Sequence, residues 1–190
     1  MIQGWMPFVV VTALAAAIDL ATKTCVFRSL GMPGMAPPVV LLPGILRLET
    51  NLNEGALFGM GQGMGGVFAT VSVLAIIGIL VLVSRPATRH DGWLLVALGL
   101  IVGGIIGNLY DRLGLPGLRW HAPLGRRDEA VFAVRDWIHV TVPGVIDWPI
   151  FNLADSWLVI GAGMMLVASF MTPAAPPAQR SDAPSERVEP

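Results

Sequence analysis

The sequence contains few charged residues and few side chains that bind metals. Only 13% of its 190 residues are charged, it has one cysteine and three histidines, and its net charge is -1 at pH 7. The single Cys25 excludes an internal disulfide framework and a site built from several thiolates. The low net charge gives no basic surface for nucleic acid, and no glycine-rich phosphate loop follows a strand. Nucleic-acid binding and nucleotide chemistry are therefore not expected.

Hydrophobic residues dominate the chain instead. They make up 54% of it and give a mean hydropathy of +0.69, which is typical of a membrane protein. Four charge-poor segments are long enough to cross a bilayer, at about residues 5–24, 63–84, 92–111 and 150–172. Residues 1–18 also have features of a secretory signal peptide. No lysine or arginine precedes Lys23, however, so an uncleaved first span is favoured.

Two longer polar segments separate these spans, at about residues 25–62 and 112–149. Residues 28–43 are rich in glycine and proline and are predicted to form a loop, whereas residues 45–50 alternate apolar and polar side chains as a half-exposed strand does. Residues 131–140 are also strand-like. The predicted fold is an α-helical integral membrane protein with four transmembrane helices and a small extracytoplasmic β-sheet that forms a cradle.

The orientation follows from the number of spans and from one basic turn. Arg85 and Arg89 lie in a short connection typical of the cytoplasmic side, which predicts that both termini are cytoplasmic and both long segments are outside. The arginine count opposes this orientation, because the long segments carry seven arginines against four on the other side. Residues 173–190, rich in Pro, Ala and Ser, are predicted to be a disordered cytoplasmic tail.

Two carboxylates stand at the edge of the fourth span. Asp136 lies in the strand-like segment before the span and Asp155 lies at the start of the span. A carboxylate at the mouth of a membrane helix is costly to place and indicates a functional site. If the strand folds back over the helix, the two carboxyls share one site and cannot both ionise readily, which produces an acid and a base. Asp147 is a rival to Asp136.

Polar residues at the ends of the other spans are candidates to support such a site. Asp19 and Lys23 lie four residues apart on the first helix, where they form either a pair that anchors the helix end or part of the site. Residues with an amide or a charged side chain, and one glycine, also recur near the ends of the first strand, the third span and the fourth span. They are Asn53, Gly55, Asn108, Asp111, Arg112 and Asn152. Asp111 with Arg112 is equally consistent with a helix-end ion pair.

With these motifs together, the chain resembles a bacterial lipoprotein signal peptidase, the type II signal peptidase that cleaves prolipoproteins. The resemblance covers nearly all of the chain up to Thr172 and rests on motifs at corresponding ends of four spans. Its residues are Asp19, Lys23, Asn53, Gly55, Ala56, Phe58, Gly104, Gly107, Asn108, Asp111, Arg112, Asp136, Phe151, Asn152, Ala154 and Asp155. Two departures are Leu20, where the family commonly has glutamine, and an unusually long segment at residues 113–129.

The resemblance implies an aspartic endopeptidase that hydrolyses the bond before a diacylglyceryl-modified cysteine. Asp136 and Asp155 would be the catalytic pair, with the other polar residues supporting the site. It further implies no metal or other cofactor, membrane lipids and prolipoproteins as partners, and a monomer in the bacterial cytoplasmic (inner) membrane. Residues 1–172 would form the peptidase domain, and its active site would be extracytoplasmic.

Other functions are less compatible with the sequence. The three histidines are scattered, so a metallopeptidase motif is missing, and a serine hydrolase would have to use Lys23, the only lysine. A proton-coupled transporter or channel stays open as the alternative, with Asp19, Asp111 and Asp155 as a relay. The run at residues 126–129 is typical of a solvated loop tip, the alternative being a specific lipid or substrate contact.

Overall fold

The computed structural model describes residues 3–55 and 61–171. Within these ranges four helices are long and apolar enough to cross a membrane. They are α1 (Met6–Leu30), α2 (Gly65–Ser84), α4 (Gly92–Arg112) and α5 (Leu153–Met171), and a short helix α3 (Pro86–Arg89) joins α2 to α4. The four predicted spans fall on these helices, and the predicted fold class is confirmed.

The first helix is longer than the predicted span. It continues past Lys23 for almost two turns and ends before Gly31, whose φ of 75° suits a glycine. The sequence predicted an end near residue 24 because a charged residue was expected at the membrane surface. Lys23 is instead 0% exposed and is surrounded by other helices, so its charge does not mark the end of α1.

Helix α4 lies at the centre of the bundle, between α1 and α5. Its glycines allow the close approach that their spacing predicted, because a Cβ added at Gly103 would stand 2.6 Å from the Cβ of Ala15. A Cβ at Gly104 would stand 2.5 Å from the carbonyl oxygen of Ala154 on α5. An apolar cluster that includes Phe8, Val83 and Leu98 completes the packing at the other end of the bundle.

A four-stranded antiparallel sheet caps one end of the helices. Its strands are β1 (Val39–Leu42), β2 (Leu46–Asn53), β3 (Val134–Val142) and β4 (Ile146–Asp147), in the spatial order β1-β2-β3-β4. Asn51 pairs with Asp136 and Asn53 pairs with Val134 across β2 and β3. This register places the start of β3 beside the end of β2, where the polar motifs meet.

Two strand predictions need correction. β1 lies inside the segment that was predicted to be a loop. The sequence carries no sign of this strand, because its four apolar residues follow two prolines and do not alternate with polar ones. β3 begins at Val134 rather than at residue 131. β2 ends at Asn53, which is the partner of Val134. The backbone N–H of Val131 donates to the carbonyl of Leu118 instead. Its side chain packs with Met32 and Ala133 in a second apolar cluster.

Candidate active site

Asp136 lies on β3 with its side chain directed at the start of α5. It is 1% exposed, and its Oδ1 accepts a 2.6 Å hydrogen bond from the side-chain amide of Asn152. Its Oδ2 is buried without a hydrogen-bond partner among the residues that the structure describes. An unpaired oxygen of this kind is costly for a charged carboxylate. The environment therefore favours the protonated form of Asp136.

The pKa of Asp136 is shifted accordingly. Burial is the largest cause and the neighbouring charge of Asp155 the second, and together they raise this pKa from 3.8 to about 7. Hydrogen bonding from Asn152 opposes the shift, as do the charge of Lys23 and the nearby amide of Asn53. The carboxyl of Asp136 is thus an acid near neutral pH.

Asp155 occupies the third position of α5, where it forms a reciprocal cap with Asn152. The backbone N–H of Asp155 donates to Asn152 Oδ1 at 3.0 Å, and the backbone N–H of Asn152 donates to Asp155 Oδ2 at 3.2 Å. Asn108 Nδ2 donates to the other carboxylate oxygen at 2.8 Å. Two N–H groups therefore donate to the carboxylate of Asp155, which lies in the first turn of α5.

The two asparagines can orient their amides in only one way. Asn108 Oδ1 accepts from the ammonium of Lys23 at 2.8 Å, and Lys23 can only donate, so the NH₂ of Asn108 must face Asp155. The backbone N–H of Asp155 likewise occupies Asn152 Oδ1, which leaves the NH₂ of Asn152 for Asp136. One asparagine amide is thus directed at each carboxylate.

Both carboxylates line the same cavity, whose volume is about 440 Å³. Strands β2 and β3, the end of α4 and the approach to α5 form its walls. The lining residues are Asn51, Leu52, Asn53, Gln62, Asn108, Arg112, Val134, Asp136, Trp148, Pro149, Ile150, Phe151 and Asp155. The structure therefore brings two carboxyls with different hydrogen-bond surroundings to one accessible space.

A buried charge cluster lies behind the cavity. Lys23 contacts Asp19 at 2.8 Å and Asp111 at 3.2 Å, and all three side chains are 0% exposed. Asp19 also accepts the backbone N–H of Ala154 at 2.9 Å, which satisfies a donor at the first turn of α5. The pair at Asp19 and Lys23 is therefore an internal connection between helices, not an anchor at a helix end.

Arg135 was missed by the sequence analysis. It is 4% exposed, its Nε and Nη2 each lie 2.9 Å from Asp111 Oδ1, and its backbone N–H donates to Asp111 Oδ2 at 3.0 Å. Neighbouring residues on a strand face opposite sides, so Arg135 holds α4 while Asp136 faces the cavity. The only signal in the sequence was its position next to Asp136. Asp111 pairs with Arg135 and Lys23 rather than with Arg112.

Arg112 connects the end of α4 to the turn after β2. Its Nη2 donates to the carbonyl of Gly55 at 3.2 Å, and its guanidinium stands 5.4 Å from the ring centre of Phe68. The backbone N–H of Gly55 donates to Asn53 Oδ1 at 3.0 Å. Asn53 and Arg112 both line the cavity. Ala56 and Phe58, which contributed to the resemblance, lie outside the described residues.

The remaining predicted positions lie elsewhere. Asp147 is on β4, its side chain is 77% exposed, and it contacts His139 at 2.7 Å rather than the cavity. Leu20 lines a separate groove on α1 with Thr24 and Arg28. Among residues 3–55 and 61–171, no three His, Cys, Asp or Glu side chains converge as metal ligands. The absence of a metal in the reaction stays a prediction.

Comparisons with known proteins identify the family of this chain and its fold. A family model described as signal peptidase (SPase) II matches residues 11–171. A lipoprotein signal peptidase of Rhodopirellula baltica is 46% identical over 154 residues, covering 81% of this chain and 67% of that protein. One from Geobacillus thermodenitrificans is 31% identical over 165 residues, covering 86% and 89%. A solved bacterial membrane enzyme shares the fold with a TM-score of 0.69 at 23% identity, covering 86% and 87% of the two chains.

Proposed function

Because this chain belongs to the signal peptidase II family, we propose that it removes signal peptides from prolipoproteins, with Asp136 and Asp155 as the catalytic pair. The observation that supports this pair is that both carboxyls face one cavity while different surroundings act on them. Asp155 receives two N–H donors, whereas Asp136 has an oxygen without a partner among the described residues. One carboxyl is suited to act as base and the other as acid.

The reaction begins with the charged Asp155. It takes a proton from a water molecule as the water oxygen attacks the scissile carbonyl. The protonated Asp136 donates a hydrogen bond to the oxyanion that forms. When the C–N bond breaks, Asp136 gives its proton to the leaving amine. A proton passing from Asp155 back to Asp136 restores the starting state.

The asparagine side chains and Arg112 position the reacting groups. Asn108 and Asn152 hold the two carboxyls, since each amide has only one permitted orientation. Asn53 and Arg112 also line the cavity and are positioned to bind the substrate backbone. Gly55 fixes both of them through its N–H and its carbonyl. The buried set of Asp19, Lys23 and Asp111 keeps α1, α4 and α5 in register behind the site.

The finer substrate assignment is the one that the resemblance to lipoprotein signal peptidases implies, hydrolysis of the bond before a diacylglyceryl-modified cysteine. The place of the cavity supports it. The cavity opens where the sheet meets the ends of the apolar helices, so an acyl-modified residue can keep its chains in the bilayer while the neighbouring bond reaches the carboxyls. The enzyme would work as a monomer with lipids around it, and residues 1–172 would form the catalytic domain.

The site would be extracytoplasmic in the bacterial cytoplasmic membrane, with both termini inside. The arginine count that opposed this orientation weakens when pairs are considered. Arg135 contacts Asp111, Arg126 contacts Glu54 and Arg47 contacts Glu49, so these positive charges are balanced. A topology reporter fused after Pro190 should be cytoplasmic. An extracytoplasmic reporter would reverse the proposed orientation.

Three matched variants test the catalytic pair. Asp136→Asn and Asp155→Asn keep the shape of each side chain but remove its proton exchange, so each should lower the cleavage rate by at least about a thousandfold. Asp147→Asn is the control, and it should cleave at the wild-type rate. The assay is release of the signal peptide from a purified diacylglyceryl-modified prolipoprotein in detergent, with folding checked by thermal unfolding.

Full activity in a folded Asp136→Asn protein would refute the pair. Activity lost only in Asp147→Asn would assign the second carboxyl to β4. Inhibition by a chelator that zinc reverses would refute a reaction without metal. The transporter alternative gains no support, because Asp19 and Asp111 are held in ion pairs with Lys23 and α2 contains no ionisable residue.

A further inference from the structure

The long segment at residues 113–129 folds against the sheet and α1. Leu118 and Trp120 pack on a cluster formed by Met32, Val131 and Ala133. The second half of the segment closes on itself, because the Trp120 N–H donates to the Glu129 carbonyl at 2.9 Å and the Asp128 N–H donates to the Trp120 carbonyl at 2.8 Å. The segment is therefore a structured part of the molecule with its own apolar contact.

Arg126 connects this segment to the turn after β2. Its Nη1 and Nη2 each lie 2.9 Å from a different oxygen of Glu54, which is a bidentate arrangement. Its guanidinium also stacks 4.4 Å from the ring centre of Trp120, and its Nε lies 3.3 Å from Glu129. The run at residues 126–129 was predicted to be a solvated loop tip. For Arg126 this is wrong, because the contact it makes is with another part of the same chain.

Glu54 lies between the two residues through which the turn reaches the cavity. On one side Asn53 lines the cavity beside Asp136. On the other side Gly55 donates its N–H to Asn53 and accepts a hydrogen bond from Arg112. A restraint on Glu54 therefore restrains the position of the Asn53 amide and of the Arg112 guanidinium together.

We propose that residues 113–129 brace the turn Asn53–Gly55 at the catalytic cavity through the contact between Arg126 and Glu54. Arg126 is then a positioning residue, since it lies behind the turn and does not itself line the cavity. The contribution of Arg126 to catalysis rests on the proposed function. The restraint on the turn does not depend on that function, so the restraint and the catalytic contribution can be tested separately.

Hydrogen exchange tests the brace without any substrate. In Arg126→Gln the Gly55 amide should exchange about five times faster than in the wild type, as expected when a half-exposed ion pair is lost. Arg127→Gln is the matched control, because the Arg127 side chain makes no hydrogen bond or ion pair with any residue within 3–55 and 61–171, and its backbone N–H, which donates to Leu124, is kept in the variant. Equal exchange at Gly55 in the wild type and in Arg126→Gln would refute the brace.

A double-mutant cycle tests its role in cleavage. Arg126→Gln should lower kcat/KM about fivefold, and Glu54→Gln should do the same. The kcat/KM of the double variant should be no lower than that of either single variant, because each of the three proteins lacks the same contact. Effects that multiply in the double variant would overturn the shared contact.

The two proposals can fail separately. If the wild type and Arg127→Gln both fail to cleave prolipoprotein while Gly55 exchange still responds to Arg126→Gln, the proposed function fails and the brace stands. If the wild type cleaves and Arg126→Gln cleaves equally well with unchanged exchange, the brace fails. A Gly55 that exchanges faster with an unchanged kcat/KM would overturn the positioning role of Arg126.

Discussion

The protonation of Asp136 should set how the enzyme responds to alkaline pH. If this carboxyl must carry a proton, only its protonated fraction is active. With a pKa of about 7, that fraction is about nine tenths at pH 6 and about one tenth at pH 8. We therefore expect kcat/KM to fall about tenfold between pH 6 and pH 8.

The assay is cleavage of a diacylglyceryl-modified prolipoprotein in detergent over this pH range. Asn53 favours the charged form of Asp136, so Asn53→Ala should raise the pKa of Asp136 and move the alkaline fall to higher pH. Asp147→Asn should leave the profile unchanged, because Asp147 lies outside the cavity. A rate that stays level from pH 6 to pH 9 in a folded wild type would refute Asp136 as the acid.

Stability gives an independent measure of the same proton. The pKa of Asp136 is raised from 3.8 to about 7 on folding, so the folded state binds the proton more tightly than the unfolded state. The resulting stabilisation is fully present below pH 3.8 and is lost as the pH rises through about 7. The Asp136→Asn variant should lack this dependence. Its melting temperature should therefore gain on the wild type between pH 5 and pH 8.

Three further substitutions test the support of the site. Asp19→Asn leaves the buried ammonium with one carboxylate fewer and should destabilise the protein by about 3 kcal/mol, measured by thermal unfolding. Gly104→Ala should also lower the melting temperature, because its new methyl group would meet the carbonyl of Ala154, whereas Gly78→Ala has free space around it and should not. Asn108→Leu should lower both turnover and melting temperature, because it removes the only link from the buried ammonium to the carboxylate on α5 among the described residues.

The helices were predictable because their signal is local. A charge-free run of about 20 residues indicates a span whatever surrounds it, and the glycines of α4 indicate close helix contacts by their spacing alone. The end of α1 was not predictable in this way. The sequence shows that Lys23 is charged, but its place depends on Asp111 from α4, which a local pattern does not reveal.

The site was predictable as a set of residue types and only partly as a set of contacts. Motifs at the ends of the spans indicated the carboxylates and the amides. Arg135 and Arg126 gave no such signal, because an arginine in a loop or strand is usually solvated. Each acquires its role from a partner far away in the sequence, Asp111 for the first and Glu54 for the second. Such pairings become visible only when the sheet is placed on the helices.

The buried charges are better explained by positioning than by stability. Removing charges from water costs free energy that their attraction only partly returns, so a buried ion pair is weak evidence for stabilisation. Here both pairs that Asp111 forms connect different parts of the fold. Lys23 on α1 meets Asp111 on α4, and Asp111 meets Arg135 on the strand that carries Asp136. A shift of the sheet relative to the helices would leave one of these charges unpaired in an apolar interior. The cost of that shift keeps the carboxyl of β3 aligned with the carboxyl of α5, and the catalysis we propose, by two aspartates from separate elements, requires that alignment.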